Sequence, residues 1–386
     1  MRAWLRKSWP LFKILFAIAI LIAVGDRFAR DLHVRDKGWH AALADLWHGL
    51  RHPGWLIVSG ALYILGLGFS ALYWYRLLRE LDQRPGRLEA VRAYYVGHAG
   101  KYLPGKAWAV FLRAGLVRGP EVTFARAVLT TFYEVLVTMA GGTLLAIVLV
   151  AFLAPNTVSG MDWAALRNLL SGYEPVGVID RKVLLMLGVI LLLPIGIPIL
   201  PPVYNRIIAR MATRIRQRYG ITGPLPRIRP VMMLEGLILP ACGWVLLGGS
   251  LYAVLQAVMP NPPTLTAPLL GRLTAYLALA YVAGFIIILV PSGLGIREFF
   301  LTLFLMPEIA SFAGGDGSEA TVAVAAVLYL RLVWTCAEII VIPALYVLPN
   351  SLVKGKAAES EPAGALETAG SAASETDRDP GQGSSA

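Results

Sequence analysis

The sequence predicts an all-α, polytopic membrane protein, and three observations support that prediction. Apolar residues make up 57% of the 386 residues and charged residues only 15%. In a soluble globular domain, apolar residues make up about 45–50% and charged residues about 25%. The mean hydropathy is +0.63. Several apolar runs also reach the length of about 20 residues that a helix needs to cross a bilayer. Together these values exclude a soluble protein folded around a single core.

Seven apolar segments are long enough to be spanning helices. They are residues 8–25, 54–75, 124–153, 182–203, 231–259, 268–290 and 318–348. A shorter segment, 297–311, is expected to cross as a short or broken helix, which gives about eight crossings. Segment 93–117 is apolar but carries charges, and both a spanning and a re-entrant course remain open for it.

Arginine-rich loops predict how these spans are oriented. The formal net charge is +11, and loops 76–92 and 204–230 carry much of the basic excess. Because cytoplasmic loops are enriched in Arg and Lys, we expect both termini to be cytoplasmic in a bacterial inner membrane. The positive charge then sets topology, and no nucleic-acid partner is expected. We expect residues 1–350 to form the membrane-embedded domain and residues 351–386, which are poor in apolar residues, to be a disordered cytoplasmic tail.

The first unusual segment places charges beside a helix-breaking pair. Segment 93–117 contains Lys101, Lys106 and Arg113, with Pro104 and Gly105 between the two lysines. A charge at the centre of a span costs about 2.5–3.5 kcal/mol even on the mildest scale. Irregular backbone at membrane depth is tolerated only inside the protein or beside a wet cavity. We therefore expect this segment to be broken or re-entrant and to face the protein interior.

A second segment repeats that pattern in the other half of the chain. Pro291, Gly293 and Gly295 are followed at once by Arg297 and Glu298. Each broken segment is followed by an apolar span that carries a charge, which is typical of transporters built from two related halves. The sequence therefore predicts an internal repeat.

These interior charges predict a binding site for an anionic headgroup. Broken helices expose backbone N–H groups, and helix N-termini attract anions. The expected substrate-binding residues are Lys101, Lys106, Arg113, Glu134, Arg297, Glu298 and Arg331, and the expected backbone-opening residues are Pro104, Gly105, Pro291, Gly293 and Gly295. The acidic residues could pair with the cations when the site is empty or carry a coupling proton. Purely structural ion pairs are the alternative.

Motifs for catalysis, cofactors and metals are weak in this sequence. Residues 100–107 nearly fit the phosphate-loop pattern but end on Ala107, which lacks the hydroxyl that would bind magnesium. His48 and His52 are four residues apart without the acidic companion of a zinc motif. We therefore expect no enzyme activity, no catalytic residues, no cofactor and no metal site.

The two broken segments also resemble a known family. The run GKYLPGKAW followed by Arg113, and the run PSGLGIRE with Arg331 on the next span, resemble the membrane domain of lysylphosphatidylglycerol synthases and the stand-alone flippase-like proteins that share it. The resemblance covers roughly residues 8–348. It implies movement of an anionic lipid between leaflets. It does not extend to the soluble aminoacyl-transfer domain of two-domain members, so we expect no synthase activity.

Three functions follow as hypotheses. The first is a flippase-like transporter that moves an anionic lipid or a lipid-linked intermediate. The second is an integral-membrane transferase acting on a lipid-linked substrate, with Glu298 or Glu134 as general base. The third is a non-transporting scaffold for a lipid-synthesis enzyme. Expected partners are anionic membrane lipids and such an enzyme, and the sequence leaves the lipid, the direction, the energy source and the oligomeric state open.

Overall fold

The predicted all-α membrane architecture is confirmed in a computed structural model that describes residues 48–102, 107–153, 181–219, 227–287, 295–313 and 319–348. Ten α-helices lie in these ranges: α1 Pro53–Glu80, α2 Arg87–His98, α3 Trp108–Leu116, α4 Phe124–Leu153, α5 Arg181–Ile199, α6 Pro201–Tyr219, α7 Pro230–Val258, α8 Ala267–Ile286, α9 Ile296–Ala313 and α10 Glu319–Val347. Six of them, α1, α4, α5, α7, α8 and α10, are long and apolar enough to cross a membrane. The expected span 8–25 and the expected tail lie outside the described residues.

Local sequence signals explain where several helices begin. Prolines open α1 and α7, where the missing N–H costs nothing because the first turn has no intrahelical acceptor. The Thr266 hydroxyl accepts the Leu269 N–H at 3.3 Å and caps α8. The expected span 182–203 ends early, because α5 stops at Ile199 and Pro201 starts a new helix.

The longest helix contact is an antiparallel crossing of α1 and α7. Ser59 bonds Ser250 at 2.8 Å near one end, and Arg76 bonds Glu235 at 3.1 Å near the other. Between these pairs a Cβ added to Gly243 would lie 2.6 Å from the Gly66 carbonyl oxygen. Only glycine permits such close backbone approach, which is how many membrane helices associate.

Helices α2 and α3 form a helical hairpin, here called hairpin A. Helices α2 and α3 pack antiparallel, since a Cβ on Gly97 would meet Arg113 Cα at 2.8 Å and one on Gly100 would meet Ala109 Cα at 2.5 Å. Its two open ends lie together, where the Thr123 N–H donates to Gln83 Oε1 at 2.6 Å. The two open ends of hairpin A thus lie at the same end of the molecule, as a re-entrant course would require.

Helices α8 and α9 form a second antiparallel hairpin, here called hairpin B. Arg272 near its open end bonds Glu308 at 2.6 Å, and Arg297 near its tip donates to the Tyr281 hydroxyl at 2.6 Å. Helix α9 contains the segment 297–311 that was expected to cross as a short helix. It begins after Gly295, whose φ of 82° favours glycine.

The two hairpins approach α10 from opposite ends. Hairpin A starts beside the last turn of α10, where Arg92 donates to the Tyr346 carbonyl at 2.9 Å, and its tip reaches Glu338. Hairpin B is open at the first turn of α10, which follows α9 directly in the chain, and its tip reaches Arg331. At 1.5 Å per residue, Arg331 and Glu338 are separated by about 10 Å along α10. The hairpin tips therefore face each other near the middle of a spanning helix.

The internal repeat stays a prediction, and the order and direction of the helices are those of an inverted repeat. The order helix, hairpin, helix occurs first as α1, hairpin A and α4, and again as α7, hairpin B and α10. Helices α1 and α7 run in opposite directions, and so do α4 and α10. The basic loops also gather at one end of the molecule, where Arg229 bonds Glu80 at 2.5 Å. Inverted repeats around a central site are a frequent architecture of transporters.

Candidate site at the facing hairpin tips

At the tip of hairpin B, one carboxylate is shared between two arginines. Glu298 Oε1 accepts a bond from Arg297 Nη2 at 2.7 Å and a close bond from Arg331 Nη1, and Oε2 accepts the Gly295 N–H at 2.7 Å. The last of these bonds caps the N-terminus of α9. The Arg297 guanidinium also lies over the Tyr281 ring, 4.3 Å from its centroid. We call these four side chains, Tyr281, Arg297, Glu298 and Arg331, the Glu298 cluster.

The Glu298 cluster carries a net positive charge. Two guanidinium groups face a single carboxylate, which leaves a formal charge of about +1 in the protein interior. The Arg331 side chain is also 32% exposed, so the charge can be reached from outside. Because Arg presents a planar fork of donors that matches carboxylate and phosphate oxygens, this cluster can bind an added anionic group.

At the tip of hairpin A, donors from two elements converge on one carboxylate. Glu338 Oε1 accepts close bonds from Tyr63 of α1 and Lys101 of the 3₁₀ turn after α2, and Oε2 accepts the Tyr102 hydroxyl at 2.6 Å. His98 Nε2 lies 3.6 Å from Oε1. The Glu338 carboxyl is buried, whereas the Lys101 side chain is 28% exposed. We call these five residues the Glu338 cluster.

Three aromatic rings, those of Tyr63, Trp334 and Tyr281, form a wall between the two clusters. Trp334 stacks on Tyr63 at 4.3 Å between ring centroids and lies 5.5 Å from Tyr281. Its ring is fixed because Nε1 donates to Ser250 Oγ at 2.8 Å, and Ser250 in turn bonds Ser59. Residues 331, 334 and 338 lie on one face of α10, so the wall stands between Arg331 and Glu338.

A small cavity opens beside the Glu298 cluster. It is lined by Tyr281, Arg297, Glu298, Leu301, Val327, Leu330, Arg331 and Trp334. It is partly open to the exterior, and its enclosed volume is only about 10 Å³, about what a single water molecule requires. In this conformation the cavity is too small for a headgroup, so binding requires the hairpin tips to move apart.

Two of the expected substrate-binding residues lie elsewhere. Glu134 accepts bonds from Arg113 at 2.6 Å, from Tyr94 at 3.1 Å and from Thr138 at 3.2 Å. The Arg113 guanidinium lies 3.9 Å from the Tyr94 ring centroid and 5.7 Å from that of Trp74. The side chains of the pair are only 4% and 2% exposed. This geometry favours the structural alternative for Arg113 and Glu134.

The remaining expected residues divide between the site and the part of the chain that is not described. Lys101, Arg297, Glu298 and Arg331 come together at the hairpin tips. Pro104, Gly105, Lys106, Pro291 and Gly293 lie outside the described residues. Among the described residues, no three His, Cys, Asp or Glu side chains gather in a way that could hold a metal ion.

Aromatic residues are the part of the site that the sequence did not indicate. Tyr63, Tyr102 and Tyr281 bond the charged groups, and Trp334 packs against Tyr63 and Tyr281. Tyrosine and tryptophan are common near membrane interfaces, and their side chains give no sequence signal that separates these four from the rest. One pairing could have been found: Arg272 and Glu308 lie at similar distances on either side of the break in hairpin B.

Fold and site together define a class: an α-helical integral membrane protein with two opposed hairpins that hold basic residues at their tips. Residues 11–341 match the family model described as the lysylphosphatidylglycerol synthase TM region. The match covers most of the chain, and the chain belongs to this family. The comparisons with curated proteins and with solved structures returned no match.

Proposed function

We propose that the protein is a flippase-like transporter that moves an anionic lipid or lipid-linked intermediate between membrane leaflets, and that it is not an enzyme. The observation that carries this proposal is the net positive charge of the Glu298 cluster beside a cavity. An interior charge without full compensation costs several kcal/mol. A single phosphate diester would remove that cost by neutralising the cluster.

The opposed hairpins support transport rather than simple binding. A site between two inverted halves can be exposed to either membrane face when one half moves against the other. Hairpin A opens at one end of α10 and hairpin B at the opposite end. Movement of either hairpin would therefore uncover the same charged region from a different side.

The carboxylates make such binding reversible. Glu298 bonds the arginines that would hold a phosphate, so a headgroup that enters exchanges one set of charge-assisted bonds for another. Charge-assisted bonds are roughly twice as strong as neutral ones. Because bonds of similar strength are exchanged, the net free energy of binding stays small. A carrier requires this, since it must also release its substrate.

The proposal includes an orientation. The basic loops near Glu80 and Arg229 would face the cytoplasm of a bacterial cell, as the excess of Arg and Lys in such loops suggests. Hairpin A would then open to the cytoplasm and hairpin B to the outside. Labelling of single cysteines introduced at Arg79 and at Asn261 in intact cells tests this, since only the second should react with an impermeant reagent.

Transport itself is tested in vesicles of phosphatidylcholine that contain a small fraction of fluorescent phosphatidylglycerol or of a labelled polyprenyl phosphate. The wild-type protein should speed the crossing of at least one of these lipids. Arg331→Gln should lower the initial rate at a low mole fraction of that lipid by about tenfold, since a charge-assisted bond contributes about 1.5–3 kcal/mol and 1.4 kcal/mol is a factor of ten.

A matched control removes an arginine of similar exposure outside the site. Arg76 bonds Glu235 at 3.1 Å with its side chain 48% exposed, so Arg76→Gln should stay within about twofold of the wild type because surface pairs contribute about 0–1 kcal/mol. If no lipid crosses faster than in empty vesicles under any ion gradient, the proposal is wrong. Mass spectrometry of lipids from a deletion strain separates the transferase, because only a transferase would leave a lipid species missing.

A further inference from the structure

We infer that the Glu338 cluster is a second phosphate site, in series with the Glu298 cluster, which the headgroup visits during translocation. This inference rests on the proposed function and extends it to two tyrosines that are not among the expected substrate-binding residues. The residues concerned are Tyr63 and Tyr102, which would bind the headgroup together with Lys101.

The first argument is the set of donors. Two hydroxyls and one ammonium converge on the carboxylate oxygens of Glu338, and they come from α1 and from the turn after α2. A phosphate diester offers acceptor oxygens of the same kind. A group that replaced the Glu338 carboxylate would therefore find the same three donors in place.

The second argument is access. Lys101 stands at the tip of hairpin A with 28% of its side chain exposed, whereas Arg113 in the same hairpin is 4% exposed. Lysine is a compact point charge on a flexible chain, so it can leave one partner and follow another. Arg113 and Glu134 contain the same kinds of group, but no ligand can reach them in this conformation.

The third argument is position on α10. Arg331, Trp334 and Glu338 follow one another along a single helix face, and the two clusters are about 10 Å apart. A headgroup that leaves Arg331 toward the end of α10 must pass the ring of Trp334. The next donors on this face are those around Glu338, and two of them, Lys101 and Tyr102, belong to hairpin A, which opens on the opposite side.

The net charges of the two clusters predict which of them binds the headgroup more tightly. A headgroup of charge −1 makes the Glu298 cluster neutral, because that cluster starts at about +1. The same headgroup brings the Glu338 cluster, with one Lys and one Glu, to about −1. The Glu298 cluster should therefore hold the lipid at rest, and the Glu338 cluster should receive it only in passing. Variants of the first should change the half-saturating lipid fraction, and variants of the second should change the maximum rate.

Two substitutions in the Glu338 cluster distinguish binding from packing. Both Tyr102→Phe and Glu338→Gln weaken the same bond, so a purely structural role would shift both variants in the same direction. If the headgroup passes through the Glu338 cluster, Tyr102→Phe removes one of its hydrogen-bond donors and should lower the maximum transport rate about tenfold. Glu338→Gln removes the competing negative charge and should raise the maximum rate. Neither should move the half-saturating lipid fraction by more than about twofold.

The measurement uses the full chain in phosphatidylcholine vesicles, with labelled phosphatidylglycerol varied in mole fraction and the melting temperature recorded for each variant. Tyr276→Phe is the matched control, because the Tyr276 hydroxyl bonds the buried Glu308 at 3.3 Å outside both clusters. It should leave rate and half-saturation unchanged.

The outcomes separate this inference from the proposed function. If the wild type does not transport, both fall. If the wild type transports but Tyr102→Phe behaves like Tyr276→Phe, or if Tyr102→Phe and Glu338→Gln lower the rate together with the melting temperature, the Glu338 cluster is a packing element and only this inference is overturned. Opposite shifts of the maximum rate would support it.

Discussion

Removal of the buried carboxylate of Glu134 should lower the free energy of unfolding and leave the rate of lipid transport unchanged. Glu134 lies in α4 and is the only carboxylate bonded to Arg113 among the contacts of the described residues. The substitution Glu134→Gln keeps the shape of the side chain and removes its charge. The Arg113 guanidinium would then stay buried between Tyr94 and Trp74 without a counter-charge.

The cost can be worked from the contacts. The bonds from Tyr94 and Thr138 are bonds of neutral donors, and side-chain bonds inside membrane proteins contribute about 0.6 kcal/mol each. Their weakening would cost about 1 kcal/mol at most. The unpaired arginine costs more, since removal of one partner of a buried pair destabilises a protein by about 3–5 kcal/mol. We expect about 3 kcal/mol for Glu134→Gln, at the lower end of that range, because the amide oxygen still accepts a bond from Arg113.

Equilibrium unfolding of purified protein in mixed micelles, followed by far-UV circular dichroism, measures this free energy. Tyr94→Phe should lose only about 0.6 kcal/mol. The double substitution Arg113→Met with Glu134→Leu should recover most of the loss, since an apolar pair can replace a buried ion pair. A result in which Glu134→Gln keeps the free energy of unfolding within about 0.5 kcal/mol of the wild type and abolishes lipid movement would refute this reasoning, and would return the pair to the substrate path.

Two glycine substitutions test the close helix contacts. Gly100→Ala would place its Cβ 2.5 Å from the backbone of α3 and so force hairpin A open, whereas Gly115→Ala on the same hairpin meets open space; vesicle assays should show loss of transport for the first and wild-type rates for the second. Gly243→Ala would bring its Cβ to 2.6 Å from a carbonyl oxygen of α1, and unfolding in micelles should show a loss of about 1–3 kcal/mol. Gly249→Ala, whose Cβ finds its nearest neighbour at 3.4 Å, should cost much less, and equal losses would contradict the glycine crossing.

The sequence was sufficient to predict that no continuous helix runs through either hairpin: α2 ends at His98 and α3 begins at Trp108, while α8 ends at Ile286 and α9 begins at Ile296. Proline cannot continue a hydrogen-bonded helix. Gly295 has a φ of 82°, a left-handed backbone conformation that other residues rarely adopt. Charges beside such breaks also indicate an interior location, because they are too costly to face lipid. These properties belong to single residues, and so a single sequence reveals them.

Which side chains contact one another could not be predicted from the sequence in the same way. Glu338 meets Tyr63 and Lys101 across more than 200 residues of chain, and only the packing of α1, hairpin A and α10 brings them together. The same limit applies to Arg113 and Arg331, which are identical in type. One becomes almost completely buried and the other stays 32% exposed, a difference set by neighbouring helices.

Composition alone therefore cannot assign a role to an interior ion pair in this fold. The groups around Glu134, Glu308, Glu298 and Glu338 each combine a carboxylate with a basic residue, and a tyrosine lies beside each of them. Access and net charge divide them. Glu134 and Glu308 are each matched by one arginine away from the hairpin tips, so each pair is neutral and anchors a helix contact. Glu298 is outnumbered by Arg297 and Arg331 beside a cavity. Glu338 is matched by one lysine, so this pair is neutral too, and it differs from Glu134 and Glu308 in that its lysine lies 28% exposed at the opposite hairpin tip. A headgroup that binds where positive charge exceeds negative lowers the energy of the interior, whereas one at a neutral buried pair would have to break it first.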